Sequence, residues 1–262
     1  MLTALEIVAY TAASLFYLSY LIAPRRGGDR VGRAALGIGA AFQLVDVGVR
    51  CVHSQHPLSS VAEVMALVGW MIAVGFLIAS VRYRLAAAGA FAAPAALVML
   101  VLARVVPAAP GAPAMGMLGR AHILLATVGV AVFTLAAILA VLYLVEERQM
   151  KRKQFGRMLG GGTPLDTLDR LASRCVSLGF PVFTVAIVTG AVWIARLGFV
   201  TGMQSLRFEH LLAVVTWVAF GVLLVARVGA GWQGRRAAWL TLGGFGGAFL
   251  VLVVYFVRHA AS

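Results

Sequence analysis

Eight apolar runs of roughly twenty residues, separated by polar connections, leave this chain one kind of fold. Hydrophobic length and periodicity put spans near 2–23, 34–52, 61–80, 86–106, 120–145, 173–195, 209–229 and 237–257. A hydrocarbon core of about 30 Å is crossed by about 20 residues of helix. Lipid offers backbone groups no partner, so only helices or closed barrels cross it. The expectation is an all-α integral membrane protein, one polytopic domain over 1–262 with no soluble domain. Composition agrees, since 62% of residues are hydrophobic and 12% charged, against about 25% charged in soluble domains. The first run, Leu2 to Ala23, has no basic segment ahead of it and is long enough to span, so it reads as a retained helix. The longest connection, 146–172, is expected to hold a short amphipathic helix around Leu165–Leu171, lying at the interface.

The net charge of +13 is a topological signal here. Of the 22 Lys and Arg residues, 16 follow spans 1, 3, 5 and 7. The positive-inside rule then puts those loops in the cytoplasm and both termini outside it. No nucleic-acid partner is expected. All five histidines fall on the opposite, outer side: His53 and His56 after span 2, His122 heading span 5, His210 opening span 7 and His259 after span 8. Asp29, Glu146, Glu147, Asp166 and Asp169 sit among the basic residues, whereas Glu6, Asp46, Glu63 and Glu209 lie in the outer half or at the outer rim. Gln43, Asp46, Arg50 and His53 recur at helical spacing. They are either a self-satisfied Asp46–Arg50 pair at i,i+4 or the lining of a site.

Cys51 and Cys175 stand at opposite ends of their spans, too far apart for a disulfide. There is no CxxC, CxxCH, Walker A or HExxH motif. The glycines of GGFGG (243–247) sit inside a span, where small residues let helices approach closely. Outward histidines could ligate haem iron, bind a divalent metal with the outer carboxylates, or relay protons. Haem also needs aromatic walls and cations for its propionates. Trp193, Phe199, Phe208, Trp217, Tyr255 and Phe256 supply the first, and Arg50, Arg120, Arg196, Arg207 and Arg258 the second. Metal transport would call for carboxylates deep in several spans, so haem leads. Each residue also has an ordinary reading. His122 beside Arg120 is a solvated helix start, Glu209 a first-turn residue favoured by the helix dipole, and His259 part of a frayed tail.

Four stretches resemble the CcsA/ResC family of cytochrome c assembly proteins. HPLSSVAEVMALVGW (56–70) is similar to its Pro-Leu-Ser turn before a span with an early Glu. The run from GRAHILLATVGV (119–130) to LVEERQMKRK is similar to its histidine-headed span. LGFPVFTVAIVTGAVW (178–193) is similar to its Leu-Gly-Phe-Pro…Thr-Gly…Trp span, and GWQGRRAAWLTLGGF (231–245) to its Gly-Trp-x-Gly-Arg-Arg stretch. The eight-span length is closest to the compact HemX/YpjD-like branch. The resemblance implies that His122 and His259 are external axial ligands to haem, with Trp193 at the edge of the platform. Two features depart from it. ARLGFVTGMQSLRFEHLL lacks the family's tryptophan-rich core, with only Glu209 matching its acidic ending, and Val225 stands where relatives place a histidine within the membrane.

What the resemblance implies is a haem-handling assembly factor of the bacterial inner (cytoplasmic) membrane, rather than a complete haem lyase. It would hold haem b at an external vestibule through His122 and His259, with Trp193 as platform, Arg120 or Arg196 on the propionates, and Glu209 nearby. A ResB-like membrane partner and apocytochrome c are the implied partners. Two alternatives belong to other classes. One is a HemX-like regulator of haem biosynthesis acting on glutamyl-tRNA reductase through the basic 146–174 loop. The other is a divalent-cation efflux factor using Asp46, Glu63 and the histidines.

Overall fold

The computed structural model describes residues 2–22, 28–53, 58, 60–105, 116–153, 163–201 and 208–260, with backbone alone for 197–201, 208, 209 and 255–260. Eight α-helices account for nearly all of them, in the order α1 (Leu2–Ile22), α2 (Gly28–Val52), α3 (Val61–Arg82), α4 (Ala86–Val105), α5 (Met117–Lys151), α6 (Leu165–Thr201), α7 (Phe208–Gly229) and α8 (Arg235–Ala260). All eight are long and apolar enough to cross a membrane. The stretch expected to lie flat at the interface is instead continuous with its span. Leu165–Leu171 forms the first turns of α6, with Leu168 fully buried and Leu171 nearly so. Its amphipathic pattern is a packed face rather than a lipid-surface face.

Consecutive helices pair as α1·α2, α3·α4, α5·α6 and α7·α8. Contacts of α1 with α4 close the first four helices into a bundle, and those of α5 with α8 close the second four in the same way. α5 joins the two bundles by packing on α3 and α4. Between helices in lipid there is little water to exclude, so close backbone approach and van der Waals packing carry association. The sequence supplies small residues where large ones must fit. Tyr10 lies on Gly39 of α2, and Tyr17 lies between Gly32 of α2 and Gly89 of α4. On α4, Ala92, Ala93 and Ala96 are fully buried. Two of the four glycines of GGFGG, Gly244 and Gly247, admit a close neighbour as expected, whereas Gly243 and Gly246 meet nothing within 4 Å. A Cβ on Gly244 would stand 3.0 Å from the Phe220 ring, and one on Gly247 2.5 Å from Thr216 Oγ1.

The second bundle is filled by aromatic rings. Phe133 of α5 stacks on Phe220 of α7 at 3.7 Å and meets Phe183 of α6 edge-on at 5.5 Å. Val225, by contrast, is 71% exposed on the outer surface of α7.

Most basic connections gather at one end of the two bundles, here termed the basic end, and the histidine-bearing helix ends at the other. At the basic end, Gly-Trp-x-Gly forms the turn from α7 to α8. The Trp232 N–H donates back to the Ala226 carbonyl at 3.0 Å, with Gly231 at φ +63°, and Gly234 at φ +68° starts α8. Both glycines occupy the left-handed region that side chains resist. At the histidine end, Ser60 caps α3, its Oγ accepting the Glu63 N–H at 3.2 Å.

Candidate functional site at the histidine end

His122 stands one turn into α5, facing α6. Its ring lies over Gly190, where a Cβ would approach within 2.7 Å of Cε1 and 2.8 Å of Nδ1. One turn further out on each helix the arrangement is reversed: Trp193 of α6 lies over Gly119 of α5, 3.1 Å from a Cβ there. Gly-x-x-His on α5 and Gly-x-x-Trp on α6 therefore interlock, each glycine admitting the other helix's ring. The two rings end 6.0 Å apart, tilted by 41°.

The half-buried imidazole is oriented by its backbone neighbour. Nδ1 lies 2.7 Å from the Ala186 carbonyl oxygen, an acceptor only, so Nδ1 carries the proton. The lone pair is then on Nε2. Imidazoles that ligate metals are held in this way, with the second nitrogen donating to a carbonyl or carboxylate. His210, at the start of α7, is within electrostatic reach of His122. His53 serves its own helix, its Nδ1–H donating to the Val49 carbonyl at 2.8 Å.

The other expected site residues divide. Arg120 and Arg196 are exposed on α5 and α6, on either side of the His122–Trp193 pair in sequence. Glu209 and His259 lie in helices α7 and α8, but their side chains fall outside the described residues, as do those of Phe199, Phe208, Tyr255 and Phe256. Arg207 and His56 lie outside the described residues altogether. Trp217 is engaged below the site, its Nε1–H donating to Thr184 Oγ1 at 2.9 Å and its ring stacking on Phe180. Gly119, Ala186 and Gly190 were missed by sequence reasoning. They carry no chemistry of their own, and their role exists only once α5 and α6 are paired.

The polar stripe on α2 resolves into an ion network. Asp46 bonds Arg50 at 2.9 Å, as the i,i+4 spacing suggested, but it also lies 3.5 Å from Arg104 of α4. Arg104 in turn bonds the fully buried Glu6 of α1 at 3.1 Å. Beside it, the Tyr10 hydroxyl donates to Gln43 Oε1 at 2.8 Å, and Gln43 Nε2 donates to the Ala66 carbonyl. This network ties α1, α2, α3 and α4 together near the histidine end. Among the described residues, no group of three or more His, Cys, Asp and Glu is placed to hold a metal ion.

A bundle of eight membrane-crossing helices, with an oriented imidazole at one face, defines a multi-pass membrane protein. A family model described as "Cytochrome C assembly protein" matches residues 52–261, most of the chain, and the protein belongs to that family. The helix α1 and nearly all of α2 precede the matched stretch. Among curated proteins the chain is similar to "Cytochrome c biogenesis protein CcsA" of Picosynechococcus sp., 40% identical over 90 residues. It is also similar to that of Synechococcus elongatus, 42% over 81 residues, and of Synechocystis sp., 40% over 83. The matched stretch covers 34% of this chain and 25% of the Picosynechococcus protein, so the chain spans about a quarter of the length of the relatives it matches.

Proposed function

We propose that the protein handles haem for cytochrome c assembly at an external vestibule on the histidine end, where His122 would hold the iron. The observation that supports this most directly is the His122 ring over Gly190, with Nδ1–H committed to the Ala186 carbonyl and the Nε2 lone pair left to bind iron. Trp193, 6.0 Å from that ring, is one wall of the platform. His259, in the last helix, supplies the second ligand, Glu209 lies at the start of α7, and exposed Arg120 and Arg196 pair with the propionates. Haem b bound there supplies vinyl carbons to which the thiols of an apocytochrome c are joined. This chain's part is to hold and orient it. The missing tryptophan-rich core fits an assembly factor that works with a ResB-like partner rather than a complete lyase.

A second haem within the membrane is not part of this reading. The interior of the second bundle is occupied by Phe133, Phe183 and Phe220, and Val225 faces outward from it. The orientation proposed is the one that the basic loops imply, with both termini on the outer side of a bacterial inner membrane. Among the described residues nothing in the geometry favours regulation of glutamyl-tRNA reductase. Cation efflux would need Asp46 free, and Asp46 is held by two arginines.

The test is the absorption spectrum of the detergent-purified protein, oxidised and dithionite-reduced, beside His122→Ala and His259→Ala. A Soret band that shifts on reduction and is largely lost in both variants is the expected result. No band in the native protein, even after haem is added back, sinks the ligand assignment.

A further inference from the structure

The outward face of α6 carries a feature that haem handling does not use. At the basic end, Arg170, Ser173, Arg174, Ser177 and Leu178 line a recess of about 410 Å³. These residues follow one another at three- and four-residue steps, so two guanidiniums and two hydroxyls share one side of the helix. The same side continues along the span as Leu178, Val185, Val188 and Val192, which are 71%, 49%, 56% and 40% exposed. The opposite side, with Leu168, Ala172, Val176 and Ala186, is buried in the protein. The charged recess and the apolar strip therefore both face away from the rest of the protein.

Length places the junction between them. The 37 residues of α6 make a helix of about 55 Å, against a hydrocarbon core of about 30 Å. Several turns must project, and Arg170 and Arg174 lie on those at the basic end. Leu178 to Val192 covers about 21 Å, more than the roughly 15 Å of one leaflet's hydrocarbon. Charge gives the recess its sign. Arg170 is partly neutralised by Asp166 at 2.8 Å. Arg174 donates to the neutral Tyr83 hydroxyl at 2.9 Å, which positions it without cancelling its charge. Tyr83 is flanked by exposed Arg82 and Arg84.

We propose that this groove binds one anionic phospholipid, its phosphodiester seated between Arg170 and Arg174 over the Ser173 and Ser177 hydroxyls, and an acyl chain laid along Leu178–Val192. Guanidinium forks match phosphate oxygens, serine hydroxyls satisfy the remaining acceptors, and a zwitterionic headgroup would bring an ammonium group up to the arginines. The site is independent of the haem reading, because it lies at the opposite end of the molecule and on the outer face of the bundle.

The test uses the full chain in nanodiscs of phosphatidylcholine with increasing phosphatidylglycerol, reading the melting temperature and, by native mass spectrometry, retained lipid adducts. Phosphatidylglycerol is expected to raise the melting temperature of the native protein and to be retained. Arg174→Gln should weaken its apparent affinity at least ~10-fold, the scale of a lost charged hydrogen bond, and Arg170→Gln with Arg174→Gln should abolish the preference. Arg235→Gln with Arg236→Gln, equally basic but elsewhere, should leave it unchanged. The proposal falls if the Arg170/Arg174 double variant keeps the native response, or if the Arg235/Arg236 variant loses it equally. It also falls if inorganic phosphate in pure phosphatidylcholine discs gives the same rise, since the ligand is then a free anion. Should the double variant not fold, Arg174→Gln alone decides between these outcomes, because its exposed side chain makes one hydrogen bond, to Tyr83.

Discussion

Gly190 matters as much to the site as His122 does, because the imidazole occupies the volume a side chain would take. Gly190→Val should push the ring off the Ala186 carbonyl and, on the proposed haem reading, remove the Soret band almost as fully as His122→Ala. His53→Ala, which breaks only a bond within its own helix, should leave the spectrum unchanged. The ion network has a similar asymmetry between partners. Glu6 is fully buried, and Arg104 is the cation that meets it. Removing one member of a buried pair strands the other, typically at ~3–5 kcal/mol. Arg104→Gln is therefore expected to lower stability in detergent by about that much. Arg50→Gln should cost far less, on the order of 1 kcal/mol, because Arg104 still serves Asp46. Equal losses in a denaturation series would mean the network is not organised around Glu6.

The Asp46–Arg50 pair was legible in the sequence, since i,i+4 spacing on a helix determines it locally. Arg104 was not, because it lies 98 residues from Glu6 and only the closure of α1 on α4 brings them together.

At the scale of elements, the α7–α8 turn explains the Gly-Trp-x-Gly-Arg-Arg stretch. Gly231 and Gly234 both need positive φ, but they differ in surroundings. A Cβ on Gly234 would stand 2.7 Å from the Tyr143 hydroxyl oxygen, and nothing lies within 4 Å of one on Gly231. Gly231→Ala should cost about 1–2 kcal/mol from backbone strain alone. Gly234→Ala should cost more, and Tyr143→Phe in that background should recover part of the difference, while doing nothing for Gly231→Ala. A double-mutant cycle reads this directly. The element that sequence reading misplaced is instructive in the same way. Leu165–Leu171 has the pattern of a surface helix, and pattern alone cannot say whether the apolar face meets lipid or protein. Here Leu168 and Leu171 join a buried cluster with Leu139 and Leu142 of α5 and with Leu85 and Ala88 at the start of α4, so the face meets protein.

Over the whole molecule, two bundles with the same closure share α5 as their seam, and the histidine and basic ends are set apart by the length of the helices. The orientation proposed makes a labelling prediction. Cys51, exposed at the histidine end of α2, should react with a membrane-impermeant maleimide in intact spheroplasts. A cysteine placed at exposed Lys153, in a Cys51→Ser background, should react only after the membrane is breached. The reverse pattern would invert the topology and put His122 in the cytoplasm.

Eight spans, their order, the segregation of basic residues from histidines and the four stretches that resemble the family were all present in the linear sequence. Each rests on hydrophobic length, on helical spacing or on residue identity within a short window, and such properties need no fold to be read. Which face of α6 meets α5, which glycine admits which ring, which nitrogen of His122 carries the proton and which arginine reaches Glu6 were decided by tertiary structure. Each of these depends on contacts between helices far apart in the chain, and a helix's own sequence shows which of its faces are apolar but not which neighbour will cover them.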